Sequence, residues 1–220
     1  MKQTAIAVLI AVGIAAPTIA LSQEFAGGLS IGTPGLGAVI EAKTSETLVI
    51  RGAIDGMSLN RDETYSDVAY SGKAKVLTGG VFADLHPGGG GFLVSGGAYF
   101  GKRRLELDGR PAGNVEIGGT TYTPAQVGRI QGEAKLSKFQ PFLGVGYDNT
   151  FVGDRAWGFR ALVGVSFSKK PKVDLTASGG TLSSDPTFLT RLAQEEAEVR
   201  DDAKSFRYYP VVQLGLTRRF

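Results

Sequence analysis

Apolar and polar residues alternate with a period of two along most of the chain, which is the pattern of a β-strand with one apolar face. The clearest run covers residues 157–168, where aromatic and aliphatic side chains hold the odd positions and Arg160, Gly164 and Ser166 hold even ones. Further runs of this kind lie at 36–43, 48–55, 68–76, 81–85, 92–100, 143–147, 173–177 and 212–217. The pattern predicts an all-β chain.

The apolar phase shifts by one residue at three places. At Gly79-Gly80 the glycine pair is what a β-bulge needs, so we expect a bulge there. The other two shifts, at 33–35 and 137–140, are each either a turn or a bulge within a long strand. Turns at both would give about ten strands and bulges at both about eight, so the prediction is eight to ten.

The last strand carries the most specific signal. Val212, Leu214 and Leu216 share one face, and the sequence ends on Phe220. This ending resembles the assembly signal of small outer-membrane β-barrel proteins of Gram-negative bacteria, the OmpA-like superfamily. The resemblance implies that these four residues are read by the barrel-assembly machinery. Arg218 departs from it, because it stands on the apolar face, and we interpret it as a rim arginine that reaches lipid headgroups.

The resemblance implies a closed antiparallel transmembrane β-barrel over residues 23–220, with lipid outside and a polar lumen inside. Alternation alone does not separate this fold from a soluble sandwich. A closed barrel, however, leaves no strand edges exposed to pairing. The expected location is the cell outer membrane, and the expected surroundings are its lipids and lipopolysaccharide.

Residues 1–22 have the order of a cleaved signal peptide. Lys2 precedes the apolar run Ala5–Ala16, and small residues at Ala20 and Ser22 form the predicted cleavage site. Cleavage after Ala20 is the near alternative. The run is too short for a membrane-spanning helix, so we expect export through the inner membrane.

Composition excludes several classes of function. The chain has no cysteine, one histidine and a formal net charge of +3, so disulfides, thiol chemistry and a nucleic-acid partner are not expected. Glycine accounts for 32 of 220 residues, about twice the usual share of roughly 7%. His86 lies in the turn before Gly88–Gly91 with no apparent partner, and we expect no catalytic residue, cofactor or metal.

One segment is predicted to be helical. Asp185-Pro186 supplies an N-cap followed by proline at the first helical position. Apolar residues then recur at steps of three and four up to residue 206, with acidic residues between them. We expect a short amphipathic helix before the last strand.

Connection lengths predict the orientation, because such barrels place short turns in the periplasm and long loops outside. The short connections are 44–46, 87–91 and 169–171, and the long ones are 60–67, 108–128, 148–155 and 180–206. If Phe220 ends in the periplasm, the helix is extracellular; if the orientation argument fails, it is periplasmic.

Charged residues on the polar faces are predicted to fill the lumen: Arg51, Asp55, Lys73, Lys75, Glu133, Lys135, Arg160 and Asp174. An eight-stranded barrel has room for side chains only, so we expect a plugged barrel. Lys102 and Arg104 are predicted on the outer face, where they either contact lipopolysaccharide phosphates or form an ordinary solvated rim.

Three functions remain open. The first is a non-enzymatic structural or surface-interaction barrel that acts through loops 108–128 and 180–206. The alternatives are a narrow channel for small solutes and, disfavoured, an enzyme acting on lipids or peptides. The sequence does not determine the oligomeric state.

Overall fold

The structure is a computed structural model that describes residues 24–65 and 68–220. The predicted signal peptide lies outside the described residues. The strands and helices, in chain order, are β1 (Glu24–Gly32), β2 (Gly35–Lys43), β3 (Leu48–Tyr65), β4 (Val68–Leu85), β5 (Phe92–Pro111), β6 (Val115–Ile117), β7 (Thr120–Tyr122), α1 (Pro124–Val127), β8 (Gly128–Lys135), β9 (Phe139–Asp148), β10 (Trp157–Phe167), β11 (Lys172–Gly179), α2 (Pro186–Asp202) and β12 (Tyr208–Arg219).

Eight antiparallel strands close a ring. Its order is β1–β2–β3–β4–β5–β9–β10–β12, and β12 pairs back onto β1. The predicted closed all-β barrel is therefore confirmed, with eight strands. The phase shift at 33–35 is a turn, because Gly32 pairs with Gly35 across a tight hairpin.

Part of the wall continues beyond the ring. β2 leaves β3 after Gly56, while β3, β4 and β5 run on, β8 pairs with the upper half of β5, and β11 pairs with β8. We call this five-stranded sheet the extension: residues 57–65, 68–76 and 102–111 with β8 and β11. The barrel wall is thus high on one side and low at the β1–β2 hairpin.

Two predicted breaks are absent from the backbone. β3 and β4 pair in one unbroken register from Leu48 with Leu85 to Tyr65 with Val68, so Gly79-Gly80 forms no bulge. β5 likewise pairs first with β9 and then with β8 in a single register, so residues 137–140 form neither the predicted turn nor the predicted bulge. Both shifts have the same cause. The apolar side chains move from the outer face of the sheet to its inner face, while the backbone continues without a break.

The third short connection is not a turn either. β10 and β11 run in the same direction, and both are antiparallel to the continuous strand formed by β8 and β9. Ser166 pairs with Phe142 and Lys172 with Lys135, so the register slips by one residue between them. Residues 169–171 therefore lie at an irregularity within one long strand.

The strand directions assign the connections to two ends. Phe220 lies at the same end as the turns at 44–47 and 86–91, while 112–127 and 180–207 lie at the opposite end. The helix is therefore on the opposite side from Phe220, as predicted. The connection 149–156 lies at the Phe220 end, so its predicted placement with the long outer loops is wrong.

The outer surface of the ring is apolar, with exposed side chains such as Leu29, Val81 and Leu214. Phe100 contacts Phe139 with ring centroids 5.4 Å apart, and Phe167 contacts Tyr208 at 6.0 Å, near the upper edge of this surface. From Phe92 to Phe100 the strand rises about 27 Å, or about 21 Å in height at a tilt of about 40°. That height is close to the apolar band of a membrane barrel, about 25 Å.

Helix α2 begins at a capped N-terminus. The Asp185 carboxylate accepts a hydrogen bond from the Phe188 N–H at 2.9 Å, and Pro186 occupies the first turn. Phe188 and Leu192 are buried against Ile117, Tyr122 and Val127. The predicted helix before the last strand is confirmed, and its apolar side packs on the extension. None of the helices in residues 24–65 and 68–220 is long and apolar enough to cross a membrane.

Candidate functional site

The lower half of the lumen is filled by a network of ion pairs. Arg51 donates from Nε to Asp84 at 2.8 Å, and Arg160 donates to Asp84 at 2.5 Å, to Asp148 at 3.2 Å and to Glu41. Arg51 is 0% exposed and Arg160 is 1% exposed. A buried charge is stable only when a partner of opposite charge offsets its desolvation. The removal of one member is therefore expected to destabilise the others.

An aromatic cluster lies directly on this network. The rings of Phe82, Tyr99 and Phe142 meet edge to face at centroid distances of 4.8 to 5.6 Å. The Arg51 guanidinium stands 4.0 Å from the centre of the Phe82 ring. We call these three aromatic residues the plug, because with Leu93, Leu162 and Val211 they form a buried cluster inside the ring.

Glycines make room for the plug. A Cβ atom at Gly80 would lie 2.4 Å from the Phe82 ring, and one at Gly144 would lie 2.6 Å from the Phe142 ring. Such contacts are impossible for real side chains, so the rings rest on bare backbone. Part of the glycine excess in the sequence therefore serves the filled lumen and not bulges.

Arg103 lies above the plug, where the ring ends. It is 4% exposed, stands 4.3 Å from the Tyr209 ring centre and 5.1 Å from that of Tyr99, and donates to Ser166 Oγ at 3.2 Å. The sequence prediction missed this residue, since Lys102 and Arg104 drew attention to the outer face. Counting in twos from the inward-facing Leu93, Ser95 and Tyr99 would have placed Arg103 inside.

Above Arg103, the extension presents a concave apolar face. A cavity of about 350 Å³ lies between this face and the C-terminal part of α2. We call it the groove; its lining includes Met57, Ala74, Val76, Leu105, Leu107, Ala134, Leu136, Val173, Leu175, Val199, Arg103 and Tyr209. Leu105 and Leu107 remain 43% and 46% exposed, so the groove is open.

The eight predicted lumen charges divide into two groups. Arg51, Asp55 and Arg160 lie buried in the ring, and Asp55 accepts a hydrogen bond from Gln213 at 2.9 Å. The other five do not lie in the lumen, because the extension exchanges the polarity of its faces and presents its charges outward: Lys73, Lys75, Glu133, Lys135 and Asp174.

These outward charges pair with one another. Arg104 forms an ion pair with Glu133, with its Nε 2.8 Å from a carboxylate oxygen, and lies 3.5 Å from Glu106. Lys75 also contacts Glu106 at 3.5 Å. The hydrogen bond that Lys135 donates to Glu133 raises the pKa of Lys135. This solvated, mixed-charge surface differs sharply from the apolar outside of the ring below it.

Lys102 and Arg104 both point outward from β5 just above the ring, and Lys102 is exposed. The residues of the predicted assembly signal also lie on the outer surface. Val212, Leu214 and Leu216 are 46 to 55% exposed along β12, and Phe220 is 79% exposed.

The comparisons with known proteins give the fold. The chain is similar to the crystal structures of CarO2 and CarO from Acinetobacter baumannii, with TM-scores of 0.62 and 0.61 and identities of 18% and 17%. These alignments cover 90% and 89% of this chain, and 98% and 97% of the CarO2 and CarO chains. The fold is that of an outer-membrane β-barrel. No protein-family model matches the sequence, and no curated protein is similar to it.

In this outer-membrane β-barrel, the interior offers little free space for chemistry. His86 lies in the turn at the Phe220 end, where its Nδ1 is 2.9 Å from the Gly90 carbonyl oxygen. Within residues 24–65 and 68–220, no three histidine or acidic side chains are placed to share a metal ion. The groove, with Arg103 among its lining residues, is a cavity that could contact a ligand.

Proposed function

We propose that the chain is a plugged, non-enzymatic barrel of the outer membrane that presents its extension and helix α2 at the cell surface for structural or interaction roles. One observation carries this proposal: side chains fill the lumen from the ion-pair network to the plug. An eight-stranded barrel has room for little more than its own side chains. A water path through the ring would have to displace buried aromatic rings and the ion-paired side chains of Arg51 and Arg160.

Conductance in planar bilayers tests this proposal against the narrow-channel alternative. The purified wild-type chain is expected to give no discrete current steps. The double variant Phe82→Ala with Tyr99→Ala removes two of the three plug rings and is expected to leak. Regular single-channel steps from the wild-type chain would refute the plugged barrel. Membrane fractionation with a heat-modifiable gel shift tests the location separately.

We also propose a contact between the outer rim and lipopolysaccharide, with Lys102 as its main residue. Arg104 is held by Glu133 and Glu106, so its guanidinium is less available to a lipid phosphate. Lys102→Ala is expected to lower stability in bilayers that contain lipopolysaccharide and to leave it unchanged in phospholipid bilayers. Equal losses in both bilayers would argue for an ordinary solvated rim.

A further inference from the structure

We propose that the groove binds a single-chain amphiphile with a carboxylate head, such as a long-chain fatty acid. Its chain would lie on the apolar face of the extension under α2, and its head would meet Arg103 at the floor. This inference rests on the proposed surface role and names the chemistry of the partner.

The groove has the surface that an acyl chain needs. Its accessible surface is almost entirely apolar, although Arg103, Arg104 and Glu133 also line it. Leu105, Leu107 and Val199 remain 38 to 46% exposed. In the extension the outer face is charged and solvated, and the apolar residues lie on the inner face. The groove is therefore not part of the lipid-facing surface. Its volume of about 350 Å³ lies at the lower end of small-ligand pockets, about 300–1,000 Å³. That size suits one chain and not a two-chain phospholipid.

Arg103 supplies the polar end. Its Nη1 donates to Ser166, but Nε and Nη2 have no hydrogen-bond partner although both are buried. Buried donors without partners are costly, and native proteins rarely keep them without a reason. Among the described residues no carboxylate forms an ion pair with Arg103. The nearby Asp55 interacts with Arg103 through its charge, but it accepts hydrogen bonds from Gln213 and Ser30 through Oδ1 and makes none to Arg103.

A carboxylate is the head group that fits these free donors. The guanidinium presents its N–H groups in a planar fork that pairs with two carboxylate oxygens. Tyr209 covers the fork from the groove side, with its hydroxyl donating to the Thr33 carbonyl at 2.7 Å. Binding therefore includes a shift of the Tyr209 ring or of the guanidinium, after which the head completes the pairing of Arg103.

Native mass spectrometry of the full mature chain in octyl glucoside tests the proposal, with hexadecanoate and the uncharged hexadecanol as probes. Wild-type protein is expected to bind one hexadecanoate. Hexadecanol should bind at least about tenfold more weakly, because it lacks the charge-assisted hydrogen bonds to Arg103. Arg103→Gln is expected to lose the preference for hexadecanoate. The matched control Lys75→Gln removes an outward, partly exposed cation of the extension and is expected to change nothing.

A second variant tests the chain-binding part alone. Leu107→Glu places a negative charge on the groove wall at a half-exposed position, so the barrel should fold and hexadecanoate affinity should fall at least about tenfold. If Arg103→Gln loses its heat-modifiable gel form, this variant decides the question. Equal binding of both probes, unchanged binding in Arg103→Gln or Leu107→Glu, or retention of phospholipid only would each overturn the proposal. Conductance steps would refute the plug but leave these binding results standing.

Discussion

The ring and the extension share the strands β3, β4 and β5, yet they place apolar side chains on opposite faces. In the ring part of β5, Val94 and Phe100 point outward and Ser95 points into the lumen. Ten residues further along the same strand, Arg104 points outward and Leu105 points inward. In β4 and in the continuous strand of β8 and β9, the apolar side chains change from the outer to the inner face at the same height.

The reversal shows that the medium around each face, and not the backbone, determines which face of a strand is apolar. Lipid outside the ring favours apolar side chains there, and the narrow lumen accepts polar groups that pair with one another. Outside the extension the charged residues pair in solvent, and the apolar side is covered in part by α2. One pleated sheet can serve both surroundings because its period of two never changes.

The largest expected effect lies in the ring. Arg160→Met would leave Glu41, Asp84 and Asp148 with less compensation in a dry lumen, and should lower the free energy of unfolding by about 3–5 kcal/mol. Urea unfolding in phospholipid vesicles measures this loss. The control is Lys135→Met, which removes a partly exposed charge from the extension. A loss below about 1 kcal/mol for Arg160→Met would show that the lumen network is not buried as described.

The second prediction compares equivalent outward positions. Val163→Arg puts a charge on the ring surface near mid-height, where the side chain is 57% exposed, and should cost about 2–4 kcal/mol in a bilayer. Asp174→Arg makes an outward change in the extension and should cost little. Similar losses at the two positions, in the same unfolding assay, would contradict the division between ring and extension.

A third prediction separates the stability of the helix from that of the ring. Leu192→Ala removes a buried side chain between α2 and the extension, and should weaken that contact by about 2–3 kcal/mol. The loss should be local, so amide exchange within α2 should accelerate while the heat-modifiable gel shift of the barrel persists. Leu189→Ala, at a half-exposed position on the same helix, is the matched control. Loss of the gel shift in Leu192→Ala would mean that ring and helix unfold together.

The smallest effect is expected for the outward charges. Glu133→Gln breaks the contacts with Arg104 and Lys135, both partly exposed, and should change stability by less than about 1 kcal/mol. The change should shrink further at high salt. A loss that is large and independent of salt would place this cluster in a water-poor environment.

Sequence reasoning reached the closed barrel because alternation and the last strand are local signals. It reached helix α2 for the same reason, since Asp185 and Pro186 mark its start. It failed at Gly79-Gly80 and at 137–140, because a change of face polarity and a slip of the backbone look identical in one sequence. Only the paired registers of β4 and of β8 with β9 separate the two.

The same ambiguity explains why the sequence predicts only part of the candidate site. The alternation predicts a lumen position for Lys73, Lys75 and Glu133 because they oppose apolar residues. That inference is correct only for a strand surrounded by lipid. The groove and the partners of Arg103 come from separate strands and a distant helix, so no local pattern could bring them together. The two-residue alternation along β5 would by itself have predicted that Arg103 faces inward.

Site-directed spin labelling along the outward positions of β5 tests the central claim most directly, and the absence of cysteine makes every label unique. In bilayers, labels at 94, 98 and 100 should be accessible to oxygen, which dissolves in lipid. Labels at 104, 106 and 108 should instead be accessible to a water-soluble nickel complex. Oxygen accessibility that continues unchanged through 108 would contradict the account, as would nickel accessibility along the whole strand.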